Sequence, residues 1–167
     1  MNNFSGSIWH AVLVLLPLWI TVFFIARSSL KKGHFYFFDP KHGQGLNDAG
    51  DFEPHCKRYQ DIAKLTITLS AAAIAFLISI QISDKSPSTF AQKVVHVTPI
   101  VVGFFGTCIA LMITFMVLQT YWYEQYSHSS THSTYVRWKY ALNVSFGWTG
   151  LLAFVLGFAW LAHNLFK

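Results

Sequence analysis

The sequence predicts an all-α integral membrane protein: a four-transmembrane-helix bundle with its N- and C-termini on the outer side. Three observations lead there. The 167-residue chain is 53% hydrophobic and only 11% charged, against roughly 25% charged in ordinary soluble domains. Its apolar residues fall into four blocks, each long enough to cross a bilayer, and its positive charges gather in two of the links between them. One membrane domain, residues 1–167, accounts for a chain of this length and leaves no room for a separate soluble domain. A net charge of +5 would suggest a nucleic-acid binder in a soluble protein, but here topology and anionic lipid account for it. Nucleic acid is therefore not an expected partner.

The first span covers residues 9–26 (WHAVLVLLPLWITVFFIA) and is followed at once by Arg27, Lys31 and Lys32. That order reverses the polarity of a secretory signal, which carries its positive charge first. At 1.5 Å per residue the block is about 27 Å long, just enough for the hydrocarbon. Pro17 predicts a kink. Being bulky and without a stripe of small residues, this span is expected to lie outside the main packing, facing lipid or a second subunit.

The link from 27 to 60 holds Phe35, Tyr36, Phe37 and Phe38 beside a lysine pair, a pattern suited equally to the headgroup layer and to a short strand or plug on the protein's own surface. Glycines, Asn and Asp make 41–50 a loop, and Asp51, Glu53 and Pro54 predict a helix start near Pro54. The second span, 61–82, has small side chains through its middle, including Thr66, Ser70, Ala71 and Ala75. Small residues let helix backbones approach in lipid. This span is expected to be the central post of a trio with spans three and four, and the helix that joins the basic link to the membrane core.

A polar link from 83 to 93 leads to the third span, 95–120, where Gly106, Ala110 and Thr114 recur at spacing four. The fourth span, 141–164, carries Gly147, Gly150, Ala153 and Gly157 near one face. Aromatic belts mark the ends of both, with Tyr121, Trp122, Tyr123 and Tyr126 after the third and Trp138 and Tyr140 before the fourth. Between them 127–134 (SHSSTHST) reads as a polar turn. Surplus stripe on Ala71/Ala75 and Gly150/Gly157 predicts a homo-oligomer.

Orientation follows from the charges. The links 27–60 and 121–140 with their flanks hold Arg27, Lys31, Lys32, Lys41, Lys57, Arg58, Lys64, Arg137 and Lys139, whereas the other segments hold Lys85, Lys93 and Lys167. The positive-inside rule then puts those two links in the cytoplasm and both termini outside, in what reads as a bacterial inner membrane since no eukaryotic sorting signal is present.

No Asp, Glu, Lys or Arg lies in the middle of any span, where proton relays and ion-coupled carriers place them. The polar residues inside the spans, among them Thr66, Thr68, Ser70, Thr107, Cys108, Thr114, Asn143, Ser145 and Thr149, are expected to bond between helices or back to their own backbone. Cys56 and Cys108 fall about half a bilayer apart and define no disulfide framework. His10, His96 and His163 share the outer level and form a candidate site for zinc, copper or a haem edge. Glu124, His128 and His132 form a second candidate if the third helix continues that far. The sequence implies no other cofactor. Asp61, Lys64, Glu124, Arg137 and Lys139 lie at one depth near the inner boundary, beside Lys57 and Arg58; they form either a docking face for a soluble partner or ordinary capping and snorkelling at span ends. There is no HExxH, GxSxG, phosphate loop or CxxC, so no catalysis is expected.

These features describe a non-enzymatic small polytopic subunit that oligomerises and couples the membrane to a soluble cytoplasmic protein through its basic inner links. In size and span number alone it looks like membrane sensors or anchors of bacterial defence and toxin–immunity systems. A homo-oligomeric pore with a hydrophobic gate is the alternative, and a haem or metal protein using the outer histidines is a third. The stripes predict that Gly106→Ile and Gly150→Ile each lower thermal stability in detergent while Val102→Ile is mild.

Overall fold

The computed structural model describes residues 2–29, 52–83, 89–128 and 137–166. They form four helices, α1 (Asn2–Ser29), α2 (Phe52–Ser83), α3 (Thr89–His128) and α4 (Arg137–Leu165), with no strand among the described residues. Each carries a segment long and apolar enough to cross a membrane: Ala11–Ser28, Lys57–Ile82, Val94–Trp122 and Trp138–Leu165. The chain therefore reads as an integral membrane protein. The Phe35–Phe38 cluster and the 41–50 loop lie outside the described residues.

The helices outrun the expected spans. α2 begins at Phe52, two residues before the expected Pro54 start, and α3 begins at Thr89, inside the stretch expected to be polar link. With 40 residues, α3 is about 60 Å long, roughly twice the hydrocarbon thickness. Pro17 and Pro99 both sit inside helices that run on unbroken. Proline removes one backbone donor, and transmembrane helices tolerate the loss where Ser and Thr side chains or neighbouring helices re-satisfy the freed groups.

The bundle is organised by α3, which packs against all three other helices. Along it Val94, Thr98, Val101, Phe105, Cys108, Met112, Phe115, Gln119 and Trp122 are all buried. Their spacing alternates four and three, the 3.5-residue repeat of a left-handed coiled-coil seam. α2 answers with Ala63, Thr66, Ser70, Ala73 and Leu77 at the same repeat, all buried except the half-buried Ala73. The two seams run antiparallel: Gln60 reaches Thr120 at 3.4 Å, Ser70 Oγ lies 3.5 Å from Cys108 Sγ, and Leu77 packs with Val94, Val97 and Val101.

α4 lies on the other side of α3, and its glycines form grooves for large α3 side chains. A Cβ at Gly147 would meet the Phe115 ring at 3.2 Å, one at Gly150 the Met112 methyl at 3.1 Å, and one at Gly157 the Phe105 ring at 2.9 Å. Small residues also recur every four positions along α4, where Ala141, Ser145, Thr149, Ala153 and Gly157 are all buried. Between lipid-embedded helices there is little hydrophobic drive, so such ring-in-groove contacts supply the attraction. Each atom pair gives only about 0.1–0.2 kcal/mol, but a buried side chain makes tens of them.

Three expectations are corrected by this arrangement. The central helix is α3 and not the second span, because α2 offers one narrow seam and barely touches α4. α1 does not stand apart: Ala11 and Leu15 are buried in one core cluster with Phe104, Cys108 and Ala153, and the Trp19 ring packs on Phe146 at 5.4 Å. Finally, the Gly106, Ala110 and Thr114 stripe is turned away from the other helices. No atom lies within 4 Å of a Cβ built on Gly106, Ala110 is exposed, and Thr114 bonds its own helix at the Ala110 carbonyl. Gly106 follows Phe105, Thr114 precedes Phe115 and Ala110 lies midway between Cys108 and Met112, so at about 100° per residue these positions fall on the side of α3 away from the seam. Gly150 and Gly157, expected to be surplus surface, are occupied by Met112 and Phe105.

The two glycine environments make a direct comparison. Gly157→Leu forces Phe105 aside and is expected to lower stability by about 1–3 kcal/mol, the usual range for overpacking. Gly106→Leu enters open space and is expected to change it by less than about 0.5 kcal/mol. Thermal melting in detergent, at a dilution where the chain is monomeric, distinguishes them; equal losses contradict the placement of both residues.

Candidate functional site

Because α2 and α4 both lean on α3 yet barely touch each other, a cleft opens between them with α3 as its floor. Its volume is about 250 Å³. The floor is Met112, Phe115 and Gln119 of the α3 seam. Tyr59, Ile62 and Ala63 of α2 form one wall, while Tyr140, Asn143, Val144, Gly147, Trp148 and Leu151 of α4 form the other. The space exists for a local reason. Ala63 and Gly147 put almost no bulk on either side of Phe115, and the Tyr59 ring stands edge-on to Phe115 at 6.4 Å.

Two polar groups give this apolar cleft its chemistry. Gln119 and Asn143 are 3% and 4% exposed, and neither Gln119 Oε1 nor Asn143 Oδ1 has a hydrogen-bond partner. A buried acceptor left unpaired costs about 1–3 kcal/mol. Gln119 and Asn143 both line the cleft, and a turn of either amide about its soft terminal torsion presents its oxygen to a molecule that enters. The lining holds no carboxylate, amine or imidazole, and its ionisable groups are the phenols of Tyr59 and Tyr140. Two further orphaned atoms, Trp19 Nε1 and Thr149 Oγ1, belong to residues outside this lining.

Most hydroxyls in the spans satisfy themselves. Thr66, Thr68, Thr107, Thr114 and Ser145 each donate to a carbonyl three or four residues back in their own helix, the bond that competes with helix-to-helix pairing. Ser70, which donates to Cys108, and Thr149, whose Oγ1 has no partner, are the exceptions. Cys108 is a buried free thiol, and the side chain of Cys56 lies outside the described residues.

The residues expected to form an inner surface are distributed around the end of the bundle that carries Tyr59 and Tyr140. Lys57, Arg58, Asp61, Lys64 and Glu124 are exposed there. Lys64 Nζ is 3.9 Å from Asp61 Oδ1 with both side chains 61% exposed, a pair worth little in solvent. Lys139 turns inward and donates to Gln125 Oε1 at 3.1 Å, tying the start of α4 to the end of α3, and Trp122 stacks edge-on against Trp138 nearby. Trp122 is therefore a buried seam residue, while Tyr121 is exposed as expected for a belt. Arg137 begins α4, but its side chain, like Lys31 and Lys32, lies outside the described residues.

For the metal candidates, His96 on α3 and His163 on α4 are exposed, and the side chain of His10 on α1 lies outside the described residues. α3 does continue to His128, but the side chain of His128 and all of His132 lie outside them too. Among the described residues no group of three or more His, Cys, Asp and Glu side chains gathers.

Sequence reasoning passed over Gln119 and Tyr59, and it read Asn143 as a helix-bonding group and Tyr140 as a belt residue. A signal was present for Gln119: it falls seven residues after Met112 and fourteen after Phe105, on a seam otherwise lined mainly by apolar side chains. Nothing in the one-dimensional pattern reveals the cleft itself, which depends on α2 and α4 diverging. If the two amide oxygens are orphaned, Gln119→Leu and Asn143→Leu remove an unpaired acceptor, and the ligand-free protein is expected to melt at the same temperature or higher. A clear fall in melting temperature for both variants contradicts the orphan assignment. Comparison with known proteins finds no matching family model, no matching curated protein and no matching solved structure.

Proposed function

We propose that this chain is a non-enzymatic membrane subunit that self-associates in the bilayer and presents one basic end to a soluble cytoplasmic partner. The observation that carries the reading is the uneven distribution of charge. Among described side chains, Arg27, Lys57, Arg58, Lys64 and Lys139, with Asp61 and Glu124, all lie at the end where α1 and α3 finish and α2 and α4 begin. Under the positive-inside rule this is the cytoplasmic end, which places both termini outside, as in a bacterial inner membrane. Exposed rim charges of this kind steer and orient a protein partner more than they add affinity. Resemblance in size and span number to anchors of defence systems remains the nearest analogy for such a role.

Self-association is supported by the small residues the fold leaves on its outside. Ala71 and Ala75 of α2 and Gly106 and Ala110 of α3 are exposed to the surroundings of the bundle. Small residues facing lipid give another helix room to approach. A pore within one protomer is less well supported, since α3 packs against every other helix and leaves the bundle without an open axis.

The reading is tested by isolating the native protein in mild detergent, with and without Lys57→Glu/Arg58→Glu. The expected result is a co-purifying soluble protein that the double variant loses. Absence of any partner, together with an unchanged cellular phenotype in the variant, contradicts it. Self-association is tested by cross-linking in membranes, where Gly106→Leu is expected to reduce the dimer band several-fold while leaving the monomer's melting unchanged. An unaltered dimer band removes Gly106 from any contact between copies.

A further inference from the structure

We propose that the cleft between α2 and α4 is a binding site for a neutral glycerolipid with free hydroxyl groups, of the monoacylglycerol class. The lining sets the chemistry. Its two buried amides, Gln119 and Asn143, have oxygens without partners, and a hydroxyl can donate to such an oxygen and also accept from an amide N–H. No charged residue lines the cleft, so an ammonium head would lack a counter-charge and a carboxylate would bring further acceptors; a hydroxyl meets neither objection. Both oxygens are sealed from solvent, but the terminal torsion of an amide side chain is soft and turns the oxygen toward a donor at little cost.

Water does not fill this space well. A volume of about 250 Å³ corresponds to about eight waters at ~30 Å³ each, and each needs two to four polar partners. Ile62, Met112, Phe115, Val144 and Leu151 offer none. On the scale of a 150 Å³ cavity that holds benzene, the cleft takes on the order of ten heavy atoms. That fits a glyceryl ester head and its first methylenes.

The position of the cleft supplies the rest. Tyr59, Gln119 and Tyr140 stand toward the charged end of the bundle, at the depth where a hydroxylated head meets the hydrocarbon, while Met112 and Leu151 lie deeper. Since α2 and α4 barely meet, the cleft opens sideways between them, and the remainder of the acyl chain leaves by that gap into the bilayer.

The test uses the full chain in detergent, native mass spectrometry as the readout, and three probes with the same chain: 1-monooleoylglycerol, its dimethyl ether, and oleate. The expected result is one monooleoylglycerol per chain, bound at least about tenfold more tightly than either of the others, which corresponds to one hydrogen bond's worth of discrimination. Gln119→Leu and Asn143→Leu should each weaken it by about tenfold, and Ala63→Phe should abolish it by filling the cleft. Equal binding of the dimethyl ether overturns the donor argument on the unaltered protein, whatever the variants do. Undiminished binding by Ala63→Phe moves the site elsewhere and overturns the proposal as well.

Discussion

The constraint on which this structure depends is the buried seam of α3, where nine positions from Val94 to Trp122 alternate at spacings of four and three. A single helix in lipid needs no partner, since its backbone groups are satisfied internally and its side chains are as apolar as the acyl tails. What holds several helices together is close packing, and close packing requires one helix whose large side chains meet grooves on its neighbours. α3 supplies Phe105, Met112 and Phe115 as the inserted groups, and α4 supplies Gly157, Gly150 and Gly147 as the grooves. α2 meets the same seam from another side with Ala63, Ser70 and Leu77.

That geometry generates the cleft. A helix cylinder with three neighbours cannot bring all of them into contact with one another, and here α2 and α4 are left nearly apart. Where both flanks carry small residues, at Ala63 and Gly147, the gap becomes a volume floored by Phe115, with Gln119 one turn further toward the charged end. Packing and cleft are thus two consequences of one placement. The same placement frees Gly106 and Ala110 from duty inside the chain and leaves them on the outside of the bundle.

Much of the architecture was legible in the sequence because span length and polarity are one-dimensional properties. The four helices, their order and the start of α2 near Pro54 follow from apolar block lengths and first-turn residues. Which face of each helix packs was only half legible. On α4 the recognised glycines are the grooves, but on α3 the small residues at spacing four drew attention away from the bulky 3.5-residue seam, and the seam decides the packing. The lining of the cleft was least legible of all: Gln119 and Asn143 look like ordinary polar residues in apolar runs until three helices are set around them. The clustering of charges between spans, by contrast, was evident from their order in the chain, and their position at the end where α1 and α3 finish adds spatial order to that observation.

The most direct test of this account is a cysteine cross-link across the α2 and α3 seams. Ser70 Oγ lies 3.5 Å from the free thiol of Cys108, whereas Ala71, one residue on, is exposed. In a Cys56→Ser background, mild oxidation of Ser70→Cys in membranes should give an intramolecular disulfide to Cys108, resolved by mass spectrometry of the joined peptides, and Ala71→Cys should give none. Joining at position 71 and not at 70 would mean that α2 presents another face to α3, and the seam as described here would be wrong.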